Sequence, residues 1–372
     1  MRFFTKTWHQ PDYKFIITLA LIVIFGLIML SSASVSLAFE KFHDSYHYFK
    51  HQLIYGLIPG LFFLILFSFI DYRKWKKFSF GFLIFSIVLL IAVFIPRIGA
   101  SYGTAKSWLD IYGLSFQPAE LVKLTFLIYL ASWLENKGQK KAGDYAEGLK
   151  PFLTVLAIIA FLLILQPDIG TMTIIILVSL VVYYVGGAKL FHLFGIGTAL
   201  IIGLLMLIKV APYRTARLMT FLHPELDPQG IGYHINQAFL AIGSGGFWGR
   251  GFGMSRQKFQ YLPEVIGDSI FAIIAEELGF IFSVILVLAF IYLMYRGFKI
   301  AQNAPDNFAK LLVVGIMAWI IIQAFMNIGA MVGLLPLTGI PLPFVSYGGT
   351  ALAVLMAACG IVINISRQTR EV

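Results

Sequence analysis

Carboxylates set into apolar surroundings are the most informative chemistry in this sequence. The stretch Tyr261-Leu-Pro-Glu264-Val-Ile-Gly-Asp268-Ser-Ile-Phe-Ala-Ile-Ile-Ala-Glu276-Glu277-Leu-Gly279 joins a long polar segment to a helix apolar enough to enter a membrane. Glu264 and Asp268 sit where the segment becomes the helix, and Glu276 and Glu277 lie inside the apolar run. An ionised carboxylate at the bilayer centre costs on the order of 2.5–3.5 kcal/mol even on the mildest scale. Acids grouped in this way therefore require partners, a water-filled cavity or a function. Asp268 suits a helix N-cap. A helix N-terminus and nearby arginines also keep an aspartate ionised, and in a partly dry cavity it can accept a hydroxyl proton as a bond forms.

Three further polar sets fall at the same predicted membrane level. In Gln117-Pro118-Ala-Glu120-Leu-Val-Lys123 the acid and the base are spaced i, i+3 and share a helix face; they either neutralise each other or form a charged cavity wall. In Gln166-Pro167-Asp168-Ile-Gly-Thr171, Asp168 is a candidate N-cap or a further cavity acid. Arg214 and Arg217 offer two cations one helical turn apart, suited to a phosphate or to an anionic lipid surface. The run Ile242-Gly-Ser-Gly-Gly-Phe-Trp-Gly-Arg250-Gly-Phe-Gly253 lacks the strand and the Gly-Lys-Ser/Thr of a phosphate loop. It reads as turned backbone beside a substrate path. His234 reads as a satisfied polar residue of the long segment, and no His-x-x-x-His or carboxylate–histidine spacing supports a tight metal site. Cys359 is the only cysteine, which excludes an intrachain disulfide.

The elements that must hold these groups are membrane helices. Of 372 residues, 59% are hydrophobic and 12% charged, about half the charged share of a soluble protein. The expected fold is an all-α polytopic membrane protein. Ten apolar runs, 15–38, 52–70, 78–96, 118–134, 151–165, 170–186, 189–208, 269–295, 310–334 and 344–366, are candidate spans. The fifth and sixth meet at a tight connection at Pro167 and Gly170, the alternative being one helix kinked there. The first run has a basic start and a small-residue tail like a signal peptide, but its length and the nine runs that follow favour retention as a span. The net charge of +10 is distributed as short Lys/Arg clusters between apolar runs, which argues for membrane topology and against nucleic acid. Most of those clusters fall on one side, giving both termini in the cytoplasm and one long external loop, about 209–267, between the seventh and eighth spans. No separate soluble domain is expected within 1–372.

Several segments, in order, resemble the SEDS family of RodA and FtsW cell-wall polymerases. They are Phe116-Gln-Pro-Ala-Glu120-Leu-Val-Lys123, Gln166-Pro-Asp-Ile-Gly-Thr171, Tyr213-Arg-Thr-Ala-Arg217, Gly232-Tyr-His-Ile-Asn-Gln-Ala, Tyr261-Leu-Pro-Glu264, Phe271-Ala-Ile-Ile-Ala-Glu276-Glu277-Leu-Gly279 and Leu335-Pro-Leu-Thr-Gly-Ile-Pro-Leu-Pro-Phe-Val-Ser346-Tyr-Gly-Gly349. Two positions depart from the family pattern. Ile266-Gly267-Asp268-Ser269 stands where His-Thr-Asp-Phe is usual, and Ala105-Lys106-Ser107-Trp108 where Arg-Arg-Trp is usual. Ser255-Arg-Gln-Lys258-Phe-Gln-Tyr261 looks more like the division-type FtsW branch, whereas Gly232-Tyr-His-Ile and Ala241-Ile-Gly-Ser-Gly-Gly look like the elongation-type RodA branch; the FtsW branch is favoured.

The resemblance implies a peptidoglycan glycosyltransferase that polymerises lipid II at the outer face of the bacterial cytoplasmic membrane. By the family pattern Asp268 is the essential acid, and Glu120, Lys123 and Asp168 are polar positions of the central cavity. The expected mechanism has Asp268 take the proton of the acceptor hydroxyl. Arg214, Arg217, Lys123 and Arg250 are the candidate cations for the lipid pyrophosphate leaving group, with Glu264 beside the substrate. A divalent cation, Mg or Mn, is the expected helper of that charge. Lipid II, the nascent glycan strand, membrane lipids and a class B penicillin-binding protein are the expected partners. Two other readings fit ten spans with cavity-facing charges: a flippase for a lipid-linked precursor, and a non-catalytic scaffold for a transpeptidase.

Overall fold

The structure, a computed structural model, describes residues 9–96, 98–102, 105–111, 114–210, 215, 219–223 and 230–369. Arg214 and Arg217 lie outside the described residues. The chain opens with α1 (Tyr13–Ala33), α2 (Val35–Phe42), α3 (His47–Gln52), a π-helical turn (Leu53–Leu57), α4 (Ile58–Phe69), α5 (Arg73–Lys77) and α6 (Ser79–Ala92). Strands β1 (Gly99–Tyr102), β2 (Ala105–Ile111) and β3 (Leu114–Phe116) follow, then α7 (Pro118–Ala142), a second π-helical turn (Tyr145–Leu149), α8 (Lys150–Leu165), α9 (Ile169–Val185) and α10 (Leu190–Val210). The last four helices are α11 (Ile231–Gly245), α12 (Ile270–Gln302), α13 (Asn307–Met331) and α14 (Gly349–Ser366).

Each of the ten apolar runs coincides with a helix, and the chain is an all-α polytopic membrane protein. Among the described residues, six helical stretches are long and apolar enough to span by themselves, and three shorter ones are apolar. α7 carries Glu120, Lys123, Glu135 and Lys137 within its length; the first two pair with each other, while Glu135 pairs with Lys76 (2.6 Å) and Lys137 with Glu147 (3.9 Å). Helix starts follow from local chemistry. The Asp12 carboxylate accepts from Phe15 N, and Asp306 accepts from Ala309 N, capping α1 and α13. The tight connection between α8 and α9 is present, with Asp168 capping α9.

Close helix contacts rest on small residues, as expected where lipid tails cannot drive helices together. A Cβ on Gly360 of α14 would lie 2.5 Å from Leu64 O of α4, and one on Gly60 would lie 2.6 Å from Met356 Sδ. The π-helical turn at Leu53–Leu57 brings Gly56 against Gly349, the first residue of α14. Such turns are often found at functional sites.

α12 is broken near its start. Gly279 adopts φ 79°, ψ −174°, a conformation that costs little only for glycine. Backbone groups released by the break would be orphaned in an apolar environment. Instead, the segment after α11 satisfies them: Phe280 N donates to Gly246 O (2.9 Å), Arg250 N to Glu276 O (3.0 Å) and Gly251 N to Glu277 O (2.9 Å). This glycine-rich run is a backbone splice for a broken helix. Its tightness explains Gly249, where φ is 78° and a Cβ would stand 2.2 Å from Glu277 O.

The same splice explains the two acids inside the apolar run. Glu277, fully buried, accepts from Lys258 Nζ (2.8 Å), Ser32 Oγ (2.7 Å to Oε2) and Gly253 N (3.0 Å). Glu276 accepts from Ser255 Oγ, Arg256 N (3.0 Å) and Gln257 N (3.3 Å). Both carboxylates therefore fasten the 250–258 segment to α12, with α1 contributing Ser32.

Two expectations need correction. The segment 209–267 is not a loop throughout, since it contains α11 and the final residues of α10. Ile235, Ala238 and Ala241, three residues apart, are buried along one face of α11, a helical period that the surrounding glycines obscure. The connection before α7 is also more ordered than an all-α reading implies. β1, β2 and β3 form an antiparallel sheet in that order, with Ala100 opposite Trp108 and Leu109 opposite Phe116. The sheet carries Trp108 and hands the chain directly to Gln117 and α7.

Candidate active site

A cavity of about 250 Å³ opens where β2, the start of α7, the residues before α12 and the residues before α14 meet. Trp108, Gln117, Glu120, Glu264, Asp268, Pro341 and Tyr347 line it, together with Gly267, Gly339 and Gly348–Ala351. Three of the acids expected from the sequence, Glu120, Glu264 and Asp268, thus share one space.

The backbone of Asp268 is held from two sides. Asn327 Nδ2 donates to Asp268 O (2.7 Å) and to Ile340 O (2.8 Å), tying α13 to both the site and the segment before α14. Ser346 Oγ donates to Gly267 O (2.6 Å), and Tyr347 N donates to Ile266 O (2.8 Å). The long motif Leu335–Gly349 is therefore a brace for the residues around Asp268. The N-cap position of α12 belongs to Ser269, so the capping role expected for Asp268 is not what sets its place. The Asp268 carboxylate accepts from Ser269 Oγ at 3.4 Å.

Glu120 and Lys123 make the ion pair their spacing implies, Nζ to Oε1 at 2.7 Å, with side chains 4% and 3% exposed. Lys123 lies one layer beneath the cavity surface. Its Nζ also donates to Gln323 Oε1 (3.0 Å), to which Trp319 Nε1 donates as well (2.8 Å), while Gln323 Nε2 donates to Pro341 O (2.9 Å). The ammonium lies 5.0 Å from the Trp319 ring centroid, within cation–π range. Glu120 Oε2 is buried and has no hydrogen-bond partner among the described residues. A bound hydroxyl or amide N–H is the kind of group that would satisfy it.

Asp168 serves as a bracket. One oxygen accepts from Thr171 N (3.0 Å) at the start of α9, and the other from Gln117 Nε2 (3.0 Å), which lines the cavity. Arg250 lies away from the cavity lining. Its Nε donates to Ser244 O (3.3 Å) and stands 3.8 Å from Glu276 Oε1. Among the described residues, no three His, Cys, Asp or Glu side chains are arranged to hold a metal ion.

Sequence reasoning missed Gln323 and Asn327. Their signal was available: Trp319, Gln323 and Asn327 recur every four residues within an otherwise apolar run, which places hydrogen-bonding groups on one helix face. Ser269 and its contact with His234 were also missed, because the two are 35 positions apart.

The family model described as "Cell cycle protein", that of FtsW, RodA and SpoVE, matches residues 12–371. The chain belongs to that family. It is 39% identical over 361 residues to stage V sporulation protein E of Bacillus subtilis (strain 168), covering 97% of this chain and 98% of that one. It is 36% identical over 363 residues to the probable peptidoglycan glycosyltransferase FtsW of Trichlorobacter lovleyi, covering 97% and 95%. Among solved structures, the rod shape determining protein RodA of Thermus thermophilus matches with TM-score 0.71 at 27% identity, covering 97% of this chain and 98% of that chain. A chain from work on polymerization and crosslinking by a peptidoglycan synthase complex matches with TM-score 0.80 at 27% identity and the same coverage. The FtsW-type names among the relatives agree with the branch favoured from the sequence.

Proposed function

We propose that this SEDS protein polymerises lipid II into glycan strands at the outer face of the bacterial cytoplasmic membrane, with ten membrane crossings and both termini in the cytoplasm. The observation that carries the reading is a carboxylate, Asp268, on braced backbone in a cavity of about 250 Å³, in a chain whose full-length relatives include proteins named peptidoglycan glycosyltransferase.

In the proposed reaction the 4-hydroxyl oxygen of the acceptor's terminal sugar attacks the anomeric carbon of the donor glycan. The new C–O bond forms as the bond to the pyrophosphate breaks. The hydroxyl proton passes to the Asp268 carboxylate, and undecaprenyl pyrophosphate departs with the electron pair. Glu120, whose Oε2 lacks a partner among the described residues, is suited to accept from an acceptor-sugar hydroxyl or amide, and Glu264 stands on the same cavity wall. Lys123 fixes Glu120 and contributes positive potential from beneath. Arg214 and Arg217 are the proposed partners of the departing pyrophosphate. Asp168 acts through Gln117, and Arg250 acts at a distance by holding the splice at α12. A divalent cation, Mg or Mn, is proposed only as a companion of the pyrophosphate. A class B penicillin-binding protein is the proposed partner.

The test is to incubate purified protein, alone and with a class B penicillin-binding protein, with labelled lipid II and to resolve the products by size. Glycan ladders support the polymerase. Transfer of lipid II across liposome bilayers without ladders would instead identify a flippase, and neither activity with the partner bound would identify a scaffold.

A further inference from the structure

The residues before Asp268, Ile266 and Gly267, bring no polar side chain to the carboxylate. Polar support comes from the other side. His234 projects from α11, and its Nε2 lies 2.6 Å from Ser269 Oγ. Ser269 is fully buried at the start of α12, and its hydroxyl donates to Asp268 Oδ1 at 3.4 Å. A hydroxyl has one hydrogen to give. Assigning that hydrogen to Asp268 makes Ser269 Oγ the acceptor from His234 and the imidazole the Nε2–H tautomer. The result is a directed chain from imidazole to hydroxyl to carboxylate. Its second link is long for an O–H···O bond, and catalytic hydrogen bonds commonly tighten once substrate is bound.

We propose that His234 is a positioning residue for glycosyl transfer: it orients the Ser269 hydroxyl, and that hydroxyl holds the Asp268 carboxylate in the rotamer that meets the acceptor hydroxyl. The inference rests on the reading of Asp268 as the base. A purely structural role, tying α11 to α12, is already filled by other contacts. Ile235, Ala238 and Ala241 are buried along α11, and the segment after it donates and accepts backbone hydrogen bonds at Glu276, Glu277 and Phe280. The His234–Ser269 bond is not needed to dock the helix, and it ends beside the base.

The experiment measures initial rates of lipid II polymerisation against lipid II concentration, using the full chain with its partner. The variants are His234→Ala, His234→Gln, His234→Phe, Ser269→Ala, Ser269→Thr and the His234→Ala/Ser269→Ala double. The chain predicts that kcat falls about ten- to a hundredfold in His234→Ala and in Ser269→Ala, the loss of one hydrogen bond to a charged group, with KM within about twofold. The double variant falls no further than the worse single, because both break the same chain. Ser269→Thr, which keeps a hydroxyl, recovers rate that Ser269→Ala loses. His234→Gln, which keeps an N–H donor, recovers rate that His234→Phe does not. Additive losses, a change confined to KM, or equal rescue by Phe and Gln would overturn the proposal. Ser269→Ala removes a single oxygen, so it carries the test even if the histidine variants misfold. Asp268→Asn is run alongside. If it retains the wild-type rate, the underlying reading fails; if it is inactive while the His234 and Ser269 effects are independent, only the proposed chain fails.

Discussion

Replacing Lys258 with methionine should destabilise the whole protein, although the residue lies outside the candidate active site. Lys258 Nζ donates to Glu277 Oε1 (2.8 Å), Ser32 Oγ (3.1 Å) and Gly253 O (2.7 Å), and its side chain is 3% exposed. Lys258→Met keeps the stem volume and removes the only cation paired with Glu277 among the described residues. Removing one partner of a buried ion pair typically costs about 3–5 kcal/mol, because the other charge is left uncompensated. Removing both charges together is often close to neutral. Here Ser32 and Gly253 still need their acceptor, which glutamine retains. The single variant should therefore lose about 3–5 kcal/mol. Lys258→Met combined with Glu277→Gln should lose at least about 2 kcal/mol less than the sum of the singles, at the upper part of the usual range for contacting residues. Equilibrium unfolding in mixed micelles, followed by tryptophan fluorescence, measures both quantities. Additive losses, or a single variant within about 0.5 kcal/mol of wild type, as expected for a surface position, would refute the view that this cluster clamps the splice to the broken helix.

Three further outcomes follow from the same physical arguments. Gly249→Ala should unfold the splice, since its Cβ would stand 2.2 Å from Glu277 O at a φ of 78°; thermal unfolding in detergent should show a large loss, whereas Gly243→Ala, with open space around it, should not. Lys123→Met should cost about 3–5 kcal/mol by leaving buried Glu120 unpaired, and adding Glu120→Gln should restore much of the stability without restoring activity. Removal of divalent ions with EDTA should slow polymerisation, with recovery on adding Mg or Mn; an unchanged rate would remove the cation from the reaction.

The helices were legible because a twenty-residue apolar run has few alternatives in a bilayer. The acids near Asp268 were legible as chemistry because carboxylates are costly there. What the sequence concealed was which acids serve the fold. Glu276 and Glu277 are adjacent to the site in sequence, yet they hold the 250–258 segment, and that pairing depends on a helix break at Gly279 that periodicity cannot reveal. Asp168 serves both as a cap and as a bracket for Gln117. The braces around Asp268, from Asn327 and Ser346, come from far along the chain. Side-chain spacing within one helix cannot show contacts of that kind. The amphipathic α11 was hidden by its glycines, although Ile235, Ala238 and Ala241 carried its period.

The central claim is that the Asp268 carboxylate takes the acceptor proton, and the most direct measurement compares polymerisation by wild type and Asp268→Asn at saturating lipid II. The asparagine side chain is nearly isosteric, so folding and lipid II binding should persist. Losing a general base should lower kcat by about 10²- to 10⁴-fold. An Asp268→Asn protein that is folded, binds lipid II and polymerises it within a few-fold of the wild-type rate would contradict the assignment of this site.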